Sequence, residues 1–402
     1  MRGKLFVLIL ILFWASDAAA AGFAVAEQGA AALGLGNAVT GVPEAAGAAI
    51  FNPAALLVTP GLGVSLSGSA VMPFLTHTYT QDTDSEFHVA TVPALSVDFT
   101  RAGKIRYGGG IGFNVPFGAS LAWPKTWPGR FDVTSISLQV FEISGNFSLG
   151  YFADDFSISI AAGPRFLRST VELEKTIDAV DSEGFVHLGG AANAVSFQAA
   201  LFASYQDFGL GLSYRPGTKL EYSGDADFSQ IPIELSFAAH DQAVTTSVDL
   251  PDRIAGGVSY DLGVGRVSAD LEYFGWSSFE SFGINFEDPN TPDVDEPRHW
   301  DDTLTLRAGY EHREFSFPLK LRGGLAWDPT PSPHHTLSPT LPDGNRVVIA
   351  AGATWDFSPA ISADLGFSHV IVLENKAEGD EVLPGSYRGF AEVVSVGTRM
   401  VF

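Results

Sequence analysis

The chain has 402 residues, 46 acidic against 23 basic side chains, a formal net charge of −23, and no cysteine. That balance argues against a nucleic-acid partner and against docking on an anionic bilayer through a basic patch. Without thiols there are no disulfides, cysteine nucleophiles or thiolate metal sites, so stability must come from packing and strand pairing.

The chain opens with Arg2 and Lys4, then the apolar run Leu5–Ala15, then the small residues Ala18 and Ala20 of an A-x-A cleavage site. This is the pattern of an export signal over residues 1–20. The run is shorter than the ~20 apolar residues of a membrane-spanning helix. A mature chain starting at Ala21 has a net charge of −24, because residues 1–20 hold Arg2, Lys4 and Asp17. No later stretch has 18 consecutive apolar residues, so no helical span is predicted.

Residues 21–60 differ from everything after them. They are rich in Gly and Ala, contain no basic residue, and carry only Glu27 and Glu44 as charges. Neither strand alternation nor a helical stripe long enough for a core appears in them. Such a segment needs the rest of the chain to hold it, and we read it as an N-terminal hatch inside a barrel formed by residues 61–402.

From Leu62 onward, segments of ten residues or more alternate apolar and polar. Ile361, Ala363, Leu365 and Phe367 oppose Ser362, Asp364, Gly366 and Ser368, and Val267, Ala269, Leu271 and Tyr273 oppose Ser268, Asp270 and Glu272. Soluble strands cluster near five or six residues, whereas a tilted strand needs ~9–11 to cross a bilayer. Fourteen strands are predicted at 62–80, 87–101, 104–118, 133–152, 155–170, 194–206, 207–222, 250–262, 264–280, 303–314, 317–328, 345–357, 360–374 and 387–402. Their links alternate short (Ala102-Gly103, Ala153-Asp154, Gln206-Asp207) and long (119–132, 171–193, 223–249). An even strand count with short turns at one rim and long loops at the other is the signature of an all-β transmembrane barrel. Tyr107, Tyr151, Tyr205, Tyr260, Tyr310 and Trp355 fall near the short turns; Tyr79, Tyr222, Trp276, Trp327 and Tyr387 fall near the long loops. Two aromatic girdles at the membrane interfaces are the expectation. The terminal Phe402 resembles the signal read by the barrel-assembly machinery, making that machinery an expected partner together with outer-membrane lipid and lipopolysaccharide.

Signals for chemistry are poor. No G-x-S-x-G, H-E-x-x-H or P-loop sequence occurs, so the reading is not an enzyme, with no catalytic residue, metal or cofactor. His334-His335 are adjacent, and adjacent residues rarely converge on one ion. The acidic loop 287–302, with Glu287, Asp288, Asp293 and Asp295 among its carboxylates, is either a solvated loop or a divalent-cation site. In the third strand, clustered glycines through Gly112 and then Asn114-Val115-Pro116-Phe117-Gly118 mark a bulge or break in pairing. Such a kink in a closed wall is either a lateral opening or an edge entering a loop. Arg165 and Arg168 flank the outer end of the fifth strand beside Gly163-Pro164. Simple alternation turns Arg165 inward and Arg168 toward lipid. An inward arginine can meet a ligand carboxylate bidentately or neutralise a neighbouring acid.

With these residues in view, the chain resembles the FadL/TodX (OMPP1) family of outer-membrane transporters for hydrophobic compounds. The resemblance rests on Ala21-Gly22-Phe23, Gly34-Leu35-Gly36, Asn52-Pro53-Ala54, Phe113–Gly118, Phe166–Glu174 and Leu321–Ala351 with Asp328, Pro331, Pro342-Asp343 and Arg346. It implies a monomeric barrel of fourteen strands with a hatch in its lumen. It also implies capture of long-chain fatty acids or other hydrophobic small molecules by outer loops, an inner site near the hatch N-terminus, and lateral exit at a third-strand kink. Carried over residue by residue, Phe23 stands for the ligand-contacting phenylalanine, Arg168 for the strand-five arginine that meets the carboxylate, and Arg298 for a second cation. The carry-over of Arg168 needs a bulge at Gly163-Pro164 to shift the register by one; without it Arg165 takes the role. The leading reading is passive uptake of long-chain fatty acids. Behind it stand aromatic-hydrocarbon uptake, then a polar-solute porin, then an outer-membrane lipid hydrolase.

Overall fold

The computed structural model describes residues 22–43, 47–178, 182–379 and 382–402. The export signal over 1–20, together with Ala21 and Glu44, lies outside the described residues. No helix among the described residues is long and apolar enough to cross a membrane.

Fourteen antiparallel strands form a closed wall. They are β1 (Gly61–Thr78), β2 (Ala90–Arg101), β3 (Ile105–Ala122), β4 (Ser135–Phe152), β5 (Phe156–Asp178), β6 (Glu183–Tyr205) and β7 (Phe208–Arg215). The second half comprises β8 (Arg253–Asp261), β9 (Gly265–Phe274), β10 (Thr303–His312), β11 (Leu319–Asp328), β12 (Arg346–Ser358), β13 (Ile361–Ala377) and β14 (Gly385–Val401). Each strand pairs with its neighbours in sequence, and β14 closes on β1 from Gly63↔Val401 to Thr78↔Ser386. Closure of the last strand on the first leaves neither end strand of the sheet unpaired, the condition for a sheet in lipid, where unpaired peptide groups have no water to bind.

The outward faces of the lower wall are apolar as predicted: Leu66, Ile111, Phe147, Ile160, Leu210 and Leu365 are all exposed on it. Inward positions at the same height are small or hydroxylated, with Ser144, Ser148, Ser159, Ser268 and Ser368 buried. Tyr107, Tyr151, Tyr205, Tyr310 and Trp355 are exposed near the short turns.

Toward the long-loop rim the two faces exchange character. On β5, Phe166 points out, but Leu167, Val171 and Leu173 point in, alternating with exposed Glu172 and Glu174. The strands there rise past the bilayer, so the outer face meets water and the inner face becomes a core. This inversion corrects two expectations. Residues 171–193 are not a long loop but mostly the paired continuation of β5 and β6, joined from Asp178↔Glu183 downward. Tyr222, Trp276 and Tyr387 do not form an outer girdle; they are buried inside. The predicted strand 207–222 breaks after Arg215, and further strands at Thr218–Ser229, Gln242–Leu250, Ser281–Phe286 and Val294–Pro297, mostly in the predicted loops, extend the wall above the membrane.

Residues 22–43 and 47–60 carry only short turns of helix, Ala30–Leu33, Ala48–Phe51 and the 3₁₀ turn Pro53–Val58. They are buried against inward-facing groups from around the wall. Asp270 of β9 accepts from the Val39 and Thr40 amides at 2.9 and 2.8 Å. Ser148 and Ser159 donate to the Pro53 and Ala54 carbonyls at 2.9 and 2.7 Å. Arg106 of β3 donates to the Leu57 and Val58 carbonyls. Asn52 caps the 3₁₀ turn by accepting from the Ala54 amide and donates to the carbonyls of Thr40 and of Leu201 on β6. Close approach of these residues demands glycine at several wall positions, most tightly at Gly211, where a Cβ would lie 1.8 Å from the Thr40 oxygen.

Candidate functional site

The site begins at the first described residues. Phe23 is 4% exposed and its ring is surrounded by Trp276 at 4.7 Å, Phe279 at 5.7 Å, Trp300 at 5.8 Å and Phe117 at 5.9 Å between centroids. Most of these contacts are edge-on, the arrangement that aromatic quadrupoles favour. Gly22 sits at φ +58, where a Cβ would come within 2.5 Å of Trp300, so the cage closes only around glycine. Trp300 lies in a long loop without alternation, and Phe279, at the end of the predicted strand 264–280, instead follows a 3₁₀ turn over Trp276–Ser278; nothing in their spacing singles them out.

Beside this cage the wall is incomplete. Pairing of β2 with β3 stops at Leu95↔Phe113. Beyond it β2 pairs only with β1, and β3 only with β4. The ladder of β3 with β4 shifts register between Asn114 and Phe117. Pro116 has no N–H to give a ladder, so the bulge falls where the sequence placed the kink. Gly112 still pairs with both neighbours; Asn114, Pro116, Phe117 and Gly118 lie beyond the last β2 partner. The seam is bounded at its outer end by the Glu86 amide donating to the Ala122 carbonyl at 2.7 Å.

A cavity of about 240 Å³ opens between cage and seam. Phe23, Val71, Val92, Leu121, Leu138 and Val370 supply its apolar lining. Its charged groups gather at one end: Arg346 donates to Asp343 at 2.7 Å and to the Gly22 carbonyl at 2.9 Å, and Glu27 also faces the cavity. Burial raises the Glu27 and Asp343 carboxyls above their ordinary values, with Arg346 opposing the shift in both.

On the other side of Ala24–Val25 lies a smaller cavity of about 20 Å³, bordered by four arginines, roughly the room for one water. Arg165 of β5 meets Glu142 of β4 at 2.6 Å, and Arg215 of β7 approaches the same carboxylate at 3.8 Å. Arg253 and Arg307 share Glu272, the latter at 3.0 Å. Four guanidiniums therefore face three carboxylates, Glu142, Glu272 and the cavity-lining Asp328, and Arg215 Nη1 and Glu142 Oε1 have no hydrogen-bond partner. The sequence reading found Arg165 and missed Arg215, Arg253 and Arg307, since cations on four separate strands converge only once the wall has closed.

The other two arginines are placed elsewhere. Arg168 points out of the barrel and donates to Asn193 at 3.2 Å. The β5–β6 ladder passes through Gly163↔Gln198 and Pro164↔Phe197 without a register shift, so the bulge that would turn Arg168 inward is absent and its assignment to the carboxylate is corrected. Arg298 is buried between loops, pairing with Glu296 at 2.6 Å and bonding Ser338. It borders neither cavity; burial lowers its affinity for a proton while Glu296 opposes. No cluster of metal-ligating side chains occurs among the described residues.

The profile described as "Outer membrane protein transport protein (OMPP1/FadL/TodX)" matches residues 11–402. Outer membrane protein P1 of Haemophilus influenzae is 26% identical over 192 residues, 47% of this chain and 38% of that protein. The long-chain fatty acid transport protein of Escherichia coli O157:H7 is 24% identical over 213 residues, 49% of this chain and 46% of that protein. The matched stretches thus span less than half of these relatives. Among solved structures, a Pseudomonas aeruginosa FadL homologue superposes with a TM-score of 0.84 at 17% identity, covering 95% of this chain and all of that one. The P. putida toluene transporter TodX superposes at 0.70 with 16% identity, covering 93% and 98%. These two likenesses are of fold. Closed wall, strand count and the match along nearly the whole chain agree: this chain is an outer-membrane β-barrel and belongs to the OMPP1/FadL/TodX family of outer membrane transport proteins.

Proposed function

We propose that the barrel takes up hydrophobic compounds, long-chain fatty acids first among them, without a chemical step or an energy source. Cargo is captured among the outer loops, held in the apolar cavity and released sideways through the seam between β2 and β3. In this reading residues 1–20 are the export signal, 21–60 the hatch and 61–402 the barrel. It works as a monomer among outer-membrane lipid and lipopolysaccharide, after insertion by the barrel-assembly machinery.

The observation that carries the reading is the cavity of about 240 Å³ running from the Phe23 cage to the stretch of β3 beyond Phe113 that has no β2 partner. An acyl chain gains ~0.8 kcal/mol per buried methylene, and sideways release spares its tail a return to water. The apolar lining argues against a polar-solute porin, which needs a continuous wet pore. For the acid head, the surplus of guanidinium at Arg165, Arg215, Arg253 and Arg307 supports a carboxylate. An aromatic hydrocarbon would use the cage and leave that cluster untouched.

Binding of a radiolabelled long-chain acid to purified Arg165→Ala, Arg215→Gln and Arg168→Ala proteins tests this, each checked for folding by heat modifiability. Affinity should fall about tenfold or more in the first two, the size of a charge-assisted bond, and stay unchanged in the third. If neither Arg165→Ala nor Arg215→Gln loses affinity, the carboxylate anchor is wrong and hydrocarbon cargo is favoured.

A further inference from the structure

Where β3 loses β2, its backbone edge is not left bare. The Gly118 amide donates to the Phe23 carbonyl and the Val25 amide to the Pro116 carbonyl, both at 2.9 Å, making Ala24↔Phe117 a single antiparallel bridge. Val115, inside the bulge, has no strand opposite it on this side. Its peptide is met by a side chain instead: Gln28 Nε2 donates to the Val115 carbonyl at 2.6 Å, and the Val115 amide donates to Gln28 Oε1 at 3.2 Å. The same Nε2 donates to the Val25 carbonyl at 2.8 Å. Gln28 is 5% exposed. One primary amide thus stands in for a missing peptide unit, offering both a donor and an acceptor, and holds residues 22–28 to the edge of the seam. Only a carboxamide of this length does so. Glutamate keeps the acceptor but places an anion on a carbonyl, leucine offers neither group, and asparagine is one methylene short.

We infer that Gln28 is a positioning residue for transport: its amide latches the N-terminal segment onto the β3 bulge, and the rate at which that latch releases limits sideways exit of cargo. The inference rests on the reading that cargo leaves through the seam. Buried peptide groups without partners are costly, so the edge of β3 stays covered until the segment leaves as a unit.

The test is hydrogen exchange at the amides of Gly118 and Val25, neither of which is bonded to Gln28, in Gln28→Leu and Gln28→Glu proteins in detergent without cargo. Exchange at both should rise about tenfold or more in Gln28→Leu and by less in Gln28→Glu. In liposomes, uptake of a fluorescent long-chain acid should rise several-fold, with its equilibrium affinity changed less than twofold. A merely structural glutamine would lower the heat-modification midpoint without raising flux. Because the chain has no cysteine, Ala24→Cys/Phe117→Cys supplies a covalent substitute. These positions form a non-hydrogen-bonded pair, with Cα atoms ~4.5 Å apart, which a disulfide spans. In the Gln28→Leu background, oxidation should return exchange to the native rate and stop uptake, and reduction should restore both. Native exchange at Gly118 and Val25 in both Gln28 variants overturns the latch while leaving acid binding, and so the cargo reading, intact. Raised exchange with unchanged uptake separates the latch from exit and overturns its role in transport.

Discussion

Phe23→Ala is the perturbation that most directly separates the N-terminal segment from the wall. The phenyl ring lies within 4.7–5.9 Å of four other rings and is 4% exposed. Truncating a buried Phe costs about 3–5 kcal/mol, and each ring pair supplies roughly 0.5–1.5 kcal/mol of that beyond area alone. Residues 22–28 reach β3 through a few separate hydrogen bonds, whereas the wall is held by continuous ladders. The cost therefore falls on docking of the segment and spares the barrel. At 1.4 kcal/mol per tenfold, the docked population falls about a hundred- to several-thousandfold relative to the undocked one. Exchange of the Val25 and Gly118 amides, followed by mass spectrometry, should accelerate accordingly. The heat-modification midpoint of the barrel should stay within a few degrees, and a bound long-chain acid should lose most of its affinity. A lowered barrel midpoint with unchanged exchange at those amides would refute the reasoning, because the segment would then be part of the wall's own cooperative unit.

Two further outcomes follow from the same geometry. If residues 21–60 act as a hatch, deleting residues 22–44 should raise single-channel conductance in planar bilayers; unchanged conductance sinks the hatch. Burial holds the Glu27 carboxyl above its ordinary 4.5, against a backbone hydrogen bond and the charges of Arg346 and Arg307. The folded state thus keeps this proton more tightly than the unfolded chain. Its stabilisation is complete below the ordinary value and is lost as pH rises through the raised one. The heat-modification midpoint should decline across that window in the native protein and flatten in Glu27→Gln; equal slopes in both proteins exclude Glu27 as the cause.

Much of the wall was legible in the sequence because a strand in lipid obeys two strong local constraints, a period of two and a minimum length. Ile361–Phe367 and Val267–Tyr273 show both, and they appear where predicted as β13 and β9. The kink was legible too, since Pro116 cannot join a ladder wherever the strand lies. What local pattern does not carry is the solvent on each side. Above the bilayer the outer face meets water, so Val171 and Leu173 turn inward with the same spacing that turned Ile158 and Ile160 outward. Tyr222 and Tyr387, read as interface anchors, went inside for that reason.

The sequence by itself determined a fourteen-stranded membrane barrel, a weakly structured stretch ahead of it, and a weak point in the third strand, because each follows from residues close together in the chain. Only the tertiary structure decided what surrounds that stretch. Phe23 is caged by rings 253 to 277 residues away at Trp276, Phe279 and Trp300. Arg165 joins Arg215, Arg253 and Arg307 across several strands, and an unremarked Gln28 meets a peptide 87 residues on. Ring closure brings these groups together, and pairing over such separations leaves no periodic trace along the chain.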